Sequence, residues 1–227
     1  MYPAPPYVYD DARLVYYAYV TDAQKAAELL PQTVTVSDPP IATVTFATYP
    51  RSTLGQYLEV VHLVDVVFQD KPAKFAVALF VTSDAAMASG RELGGYPKKI
   101  AEITIREEGP SGLVRIARPI GLVLAEGIYS VGSPIEFHLP ETHEYLCLRL
   151  IPSPRSGAVP SVCELVRSHW TLDSGELWSG SGSLRFTGAS DSDPLHLLPI
   201  LAPPQVMHFR GRITVDSEPA NCQFPLP

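Results

Sequence analysis

Apolar residues fall in runs at 14–20, 42–48, 57–68, 75–81, 100–106, 114–116, 144–151 and 205–215, either alternating with polar residues or continuous. A period of two, or a short unbroken apolar stretch bounded by turn formers, predicts strands. Helical spacing is confined to 22–30, 84–93 and 193–198. In the first of these, Thr21 or Asp22 supplies the cap, Ala26, Ala27, Leu29 and Leu30 form the apolar stripe, and Pro31 stops the helix. The 23 prolines sit between the strand-like runs or near their ends, as at Pro39-Pro40, Pro72, Pro134, Pro152 and Pro203-Pro204, which predicts turns rather than disorder. The expectation is a mainly β fold: one domain over 1–227, built on a largely antiparallel closed sheet with two or three short helices. With 227 residues and 46% hydrophobic content, the chain can bury one substantial core without dividing.

Composition removes several function classes. A formal charge of −7 with scattered basic residues leaves no electrostatic footprint for nucleic acid. No apolar run approaches the ~20 residues that span a bilayer, and the first residues lack the basic end and apolar core of a signal peptide, so no membrane partner is expected. Cys147, Cys163 and Cys222 are odd in number and widely spaced, which fits a reducing, cytoplasmic setting without disulfides or structural zinc. The six histidines show no metal-ligand spacing, so no metal is expected, although His208 lies in a late strand that could pass a pocket. Gly180-Ser181-Gly182-Ser183 is followed by no lysine and opens no helical pattern, and is expected to be a turn rather than a phosphate cradle.

The chemistry concentrates in Gly90-Arg91-Glu92-Leu93-Gly94-Gly95-Tyr96-Pro97-Lys98-Lys99-Ile100-Ala101. Ser83 or Asp84 can cap a short helix that Gly94-Gly95 ends in a left-handed turn. Pro97 then biases Tyr96 to extended geometry, so a strand begins at Lys98 and the two lysine side chains point to opposite faces. A lysine attacks a carbonyl only as the neutral amine, a small minority of molecules at neutral pH given an ordinary pKa of ~10.4. Withdrawal from water or a neighbouring cation corrects this. Because the two side chains diverge, dry surroundings at Lys98 are expected to matter more than the charge of Lys99, whose tuning is the smaller effect.

This segment resembles the active-site motif of the acetoacetate decarboxylase family, in which Glu-Leu-x-x-Tyr-Pro-Lys-Lys carries a Schiff-base lysine. The likeness continues in order along most of the chain. It takes in Tyr19-Val20-Thr21-Asp22, Leu54-Gly55-Gln56-Tyr57-Leu58-Glu59, Cys163-Glu164-Leu165, Trp178-Ser179-Gly180 and Asp193-Pro194-Leu195. The resemblance implies a double-cone-like β fold, Lys98 as nucleophile, Glu59 as the carboxylate brought to it, and assembly into a homo-oligomer. No cofactor is expected. Two family positions depart. By spacing, a second glutamate is replaced by Val44, and the family's first-strand arginine falls at Ala12, with Arg13 one residue later. Arg13 grips a substrate carboxylate only if the strand shifts by one residue, since such a slip reverses the face.

A lysine imine is an electron sink for two reactions: loss of CO2 from a β-keto acid, or loss of a proton from a pyruvate imine followed by aldol addition and dehydration. The first is the reading adopted, with a keto acid or ketone as the small-molecule partner. The aldolase-dehydratase and a non-catalytic carbonyl-binding relative remain as alternatives. Phe46, Tyr49, Tyr57, Tyr96 and Trp178 are candidate substrate-binding aromatics that would suit a larger, less polar keto acid than acetoacetate.

Overall fold

A computed structural model of the chain describes residues 2–216 and 223–225. The strands are β1 (Tyr7–Val20), β2 (Thr35–Val36), β3 (Ile41–Tyr49), β4 (Arg51–Ser52), β5 (Tyr57–Phe68), β6 (Lys71–Val81), β7 (Lys98–Ile100), β8 (Glu102–Glu108), β9 (Ser111–Ala117), β10 (Val123–Ile135), β11 (Glu141–Ile151), β12 (Val162–Phe186), β13 (Gln205–Asp216) and β14 (Gln223–Pro225). There are two α-helices among the described residues, α1 (Ala23–Glu28) and α2 (Asp84–Ser89); a π-turn at Gly90–Gly94 continues α2, and a 3-10 turn at Pro194–Leu197 precedes β13. The mainly β expectation holds, and pairing is antiparallel except where β6 meets β7 and β11.

The strands pair in the order β11-β6-β5-β3-β1-β13-β12, and β12 also pairs with β11, which closes the path into a ring. β12 is 25 residues long; its second half leaves the ring to pair with β10, from which β9 and β8 continue. One apolar core fills the ring, with Tyr9, Tyr49, Tyr57, Leu79, Cys147, Trp170 and Phe209 among its members. A second core, including Tyr17, Val44, Phe46, Val60, Phe80, Ile116 and Leu195, lies between the ring's outer face and the β8–β10 sheet. The central ring strands β3 and β5 are buried on both faces, as β3 shows in six consecutive buried residues from Ala42 to Ala47.

Local signals behave as their chemistry dictates. Asp22 caps α1 by accepting from the backbone N–H groups of Gln24 and Lys25, and Ser83 caps α2 by accepting from that of Ala86. Gly95 takes a left-handed φ of 68° and ends the π-turn. The expected turn at Gly180-Ser181-Gly182-Ser183 is instead the interior of β12, paired with Ile128–Val131 of β10. Small residues are needed because the two backbones approach closely: a Cβ on Gly182 would stand 2.2 Å from the Ile128 carbonyl oxygen. Pro134 lies within β10, where the pairing with β12 shifts register.

Candidate active site

β7 is three residues long and pairs in parallel with β6, Lys98 lying opposite Leu79. Each of its residues is held. The Arg91 guanidinium donates to the Lys98 carbonyl (3.3 Å), the Lys99 side chain binds Asp193, and Arg118 donates to the Ile100 carbonyl (2.6 Å). The two lysines point to opposite faces, as the strand pattern predicts. The Lys98 side chain enters the ring and is 4% exposed; its Nζ lies 2.8 Å from Glu59 Oε1, and Glu59 is fully buried. Beyond that ion pair, neither Glu59 oxygen has a hydrogen-bond partner among the described residues. Gly90 makes room for the lysine: a Cβ there would stand 2.6 Å from Lys98 Cδ and 2.8 Å from Cε.

The surroundings are aromatic. The Tyr96 ring lies 5.5 Å from the Lys98 ammonium, and its hydroxyl accepts from Trp170 Nε1 (2.7 Å) and bonds Ser168 Oγ. Trp170 stacks on Tyr145 and Tyr9 at centroid distances of 5.3 and 6.1 Å, while Tyr49 packs 4.5 Å from Tyr9 and 4.9 Å from Tyr57. Burial first, and then the Glu59 carboxylate, push the phenols of Tyr49 and Tyr145 well above the ordinary tyrosine value, so they stay neutral hydrogen-bonding groups. Burial likewise raises the Cys147 thiol, the Lys98 cation opposing it only in part, so this cysteine is no thiolate nucleophile.

On the opposite face of β7, Lys99 Nζ pairs with Asp193 Oδ1 at 2.9 Å, and Arg118 Nε reaches the same oxygen at 3.2 Å. Asp193 is 1% exposed; its carboxyl is held below the ordinary value because the bonds and charges of Lys99, Ser190 and Arg118 outweigh the opposing effect of burial. Lys99 is thus turned away from Lys98 and shares the one Asp193 carboxylate with Arg118.

Several expected site residues lie elsewhere. Leu14, Ala47 and Glu59 face one another across β1, β3 and β5, so the face inside the ring is that of Ala12, Leu14 and Tyr16. Arg13 takes the other face, held by Asp11 (3.3 Å) and Glu107 (3.1 Å). A bulge does occur in β1, between Tyr9 and Ala12, but it precedes Ala12 and leaves Arg13 outside. Phe46, opposite Val15 and Val60, belongs to the outer core and packs on Tyr17. Trp178 sits 5.5 Å from His208, which stacks on Tyr129; these rings lie near Arg13 and away from Lys98. Val44 also faces the outer core, and the positions of β3 that face inward are Thr43 and Thr45. Val44 and Phe46 stand one residue from the inward positions of a strand whose two faces are both buried, where a slip of one reverses the face. Tyr49, Tyr57 and Tyr96 are where the sequence suggested. Trp170, Tyr145 and Tyr9 were missed, although in β12 the inward set Ser168, Trp170, Leu172 follows the strand period. Cys163 is a free thiol like Cys147, and Cys222 lies outside the described residues. Among the described residues no three His, Cys, Asp or Glu side chains are placed to hold a metal, and no helix is long and apolar enough to cross a membrane.

A closed β-ring holding one buried lysine against one buried carboxylate is the arrangement that the fold and the site define. The family model for acetoacetate decarboxylase matches residues 1–219, and the chain belongs to that family. It is 32% identical over 223 residues to Decarboxylase DEC1 of Cochliobolus heterostrophus, covering 92% of this chain and 87% of that one. Its fold is similar to that of acetoacetate decarboxylase from Legionella pneumophila (TM-score 0.83, 24% identity, 95% and 87% of the two chains). It is also similar to the enduracididine biosynthesis enzyme MppR complexed with pyruvate (TM-score 0.78, 19% identity, 95% and 89%).

Proposed function

We propose that this protein is a Schiff-base lyase that decarboxylates a β-keto acid through Lys98. The observation that carries the reading is the Lys98 Nζ–Glu59 Oε1 contact of 2.8 Å between two buried side chains inside the ring. At that distance the ammonium can pass a proton directly to the carboxylate, leaving the amine free to attack. Attack on the keto carbon and loss of water give a protonated imine. The bond to the carboxylate carbon then breaks, its electron pair moves through the new enamine to nitrogen, and CO2 leaves. Glu59, whose first proton left with the departing water, takes up another from solvent and passes it to the enamine carbon, and water hydrolyses the imine to release the ketone and Lys98. Apolar and aromatic walls favour this step, because they disfavour a carboxylate relative to neutral CO2. No arginine is needed to hold the carboxylate, consistent with Arg13 being committed to Asp11 and Glu107.

The aldolase-dehydratase alternative uses the same lysine and is supported by the similarity of the fold to that of the enduracididine biosynthesis enzyme MppR complexed with pyruvate. Borohydride reduction in the presence of a keto acid should add the reduced ketone's mass at Lys98. CO2 release from β-keto acids supports decarboxylation; a new conjugated absorbance from pyruvate plus an aldehyde supports the alternative. A chain unlabelled by every ketone and keto acid is a binding protein, and the proposal fails. A cytoplasmic location and a homo-oligomeric state belong to the same reading, the second tested by native mass.

A further inference from the structure

Next to the buried pair inside the ring lies a cavity that neither Lys98 nor Glu59 itself lines. Along β5 the residues after Glu59 on the same face are Val61, Leu63 and Asp65, and the last three line this cavity of about 310 Å³ within the ring. Its walls include Thr45 of β3, Tyr16 of β1 and Leu172 of β12; Tyr49 feels the Glu59 charge, and Tyr145, whose backbone pairs with Lys74, feels both Glu59 and Asp65 and so links the rim to the buried pair. Charges appear only at the outer rim, as the Asp65–Lys74 pair (2.5 Å) and His143 beside Glu141 (3.7 Å). At ~3.3 Å per strand residue, the six steps from Glu59 to Asp65 put that rim about 20 Å from the amine. That is too far for Lys74 to hold the carboxylate lost next to the imine carbon.

We infer that the site takes a β-keto acid carrying an extended apolar arm, alkyl or aryl, with the keto carbon at Lys98 and the arm lying past Tyr49 and Tyr145 in this cavity. The inference rests on the Schiff-base reading above. At ~30 Å³ per water-sized group, the space accepts an arm of roughly ten non-hydrogen atoms. Acetoacetate, with only a methyl beyond its keto carbon, leaves that apolar wall wet.

A series of straight-chain 3-oxo acids tests it. CO2 release should rise in kcat/KM by about four-fold per added methylene, the factor that ~0.8 kcal/mol per buried CH2 gives, and level off or fall when the arm outgrows the cavity. Thr45→Phe, which narrows the space, should move the optimum to arms several carbons shorter; Leu63→Phe is the second variant should the first not fold. A flat series, or one in which acetoacetate is best, overturns the inference. Borohydride trapping of Lys98 with acetone, run in parallel, separates the two claims. Labelling with a flat series sinks only the arm, whereas no labelling by any ketone or acid sinks the Schiff-base reading and the arm with it.

Discussion

Replacing Gly90 by alanine tests whether the position of the Lys98 amine, and not its mere presence, sets the rate. Gly90 has φ −63° and ψ −44°, ordinary helical geometry that alanine adopts without strain. Helix propensity alone would stabilise the variant by up to about 1 kcal/mol. The new methyl, however, meets Lys98 Cδ at 2.6 Å and Cε at 2.8 Å, where carbon atoms prefer about 3.5 Å or more. The lysine stem is the mobile partner, so it must retreat by about 1 Å and take Nζ out of line with Glu59. A displacement of that size in a reacting group costs on the order of 10²-fold in rate. Overpacking and propensity oppose each other, so the fold should change by no more than about 2 kcal/mol. The expected result is a hundred-fold slower borohydride trapping and CO2 release with a nearly unchanged urea midpoint. Turnover at the wild-type rate by a folded Gly90→Ala protein would show that the contact does not position the amine, and the geometric account of the site would fail.

Three further outcomes follow from other contacts. Glu59→Gln keeps the shape but removes the proton acceptor, and should lower CO2 release by roughly 10² to 10⁴-fold; a loss under ten-fold would remove Glu59 from the mechanism. Lys99→Gln and Asp193→Asn should both slow turnover modestly and in the same direction, with the double variant no worse than the poorer single one, because the two side chains form one clamp on β7. If Lys99 acted on Lys98 through its charge, freeing it from Asp193 would have the opposite effect to deleting it, as seen in the pH profile of trapping. Burial holds the His62 imidazole down at about 3 against an ordinary 6.5. As pH falls below 6.5 the unfolded chain takes up a proton that the folded chain refuses, so stability declines by up to ~1.4 kcal/mol per pH unit until about pH 3. Urea titrations of wild type and His62→Gln between pH 7 and 4.5 should therefore converge by on the order of 2 to 3 kcal/mol; parallel profiles would mean that His62 is not buried neutral.

Much of this was readable from residue order because it depends on neighbours in sequence. The caps at Asp22 and Ser83, the left-handed Gly95, the strand start after Pro97 and the divergence of Lys98 from Lys99 all follow from backbone preferences acting over a few positions. The motif order gave Glu59 as the partner of Lys98, and the structure places the two in contact. Neither the closing pair β11–β12 nor the inward face of each strand could be reached in the same way. Choosing a face from alternation requires one face to be wet, and in β3 and β5 both are dry: the outward Val44 and Phe46 and the inward Thr43 and Thr45 are all buried. Hence Arg13, Phe46 and Trp178 were assigned to a site they do not touch, and Trp170, a hundred residues and more from Glu59 in sequence, became a neighbour only when β12 closed the ring. Local sequence determined which lysine side chain turns into the ring. Long-range strand pairing decided what surrounds it, because only closure excludes water from both sides of a strand.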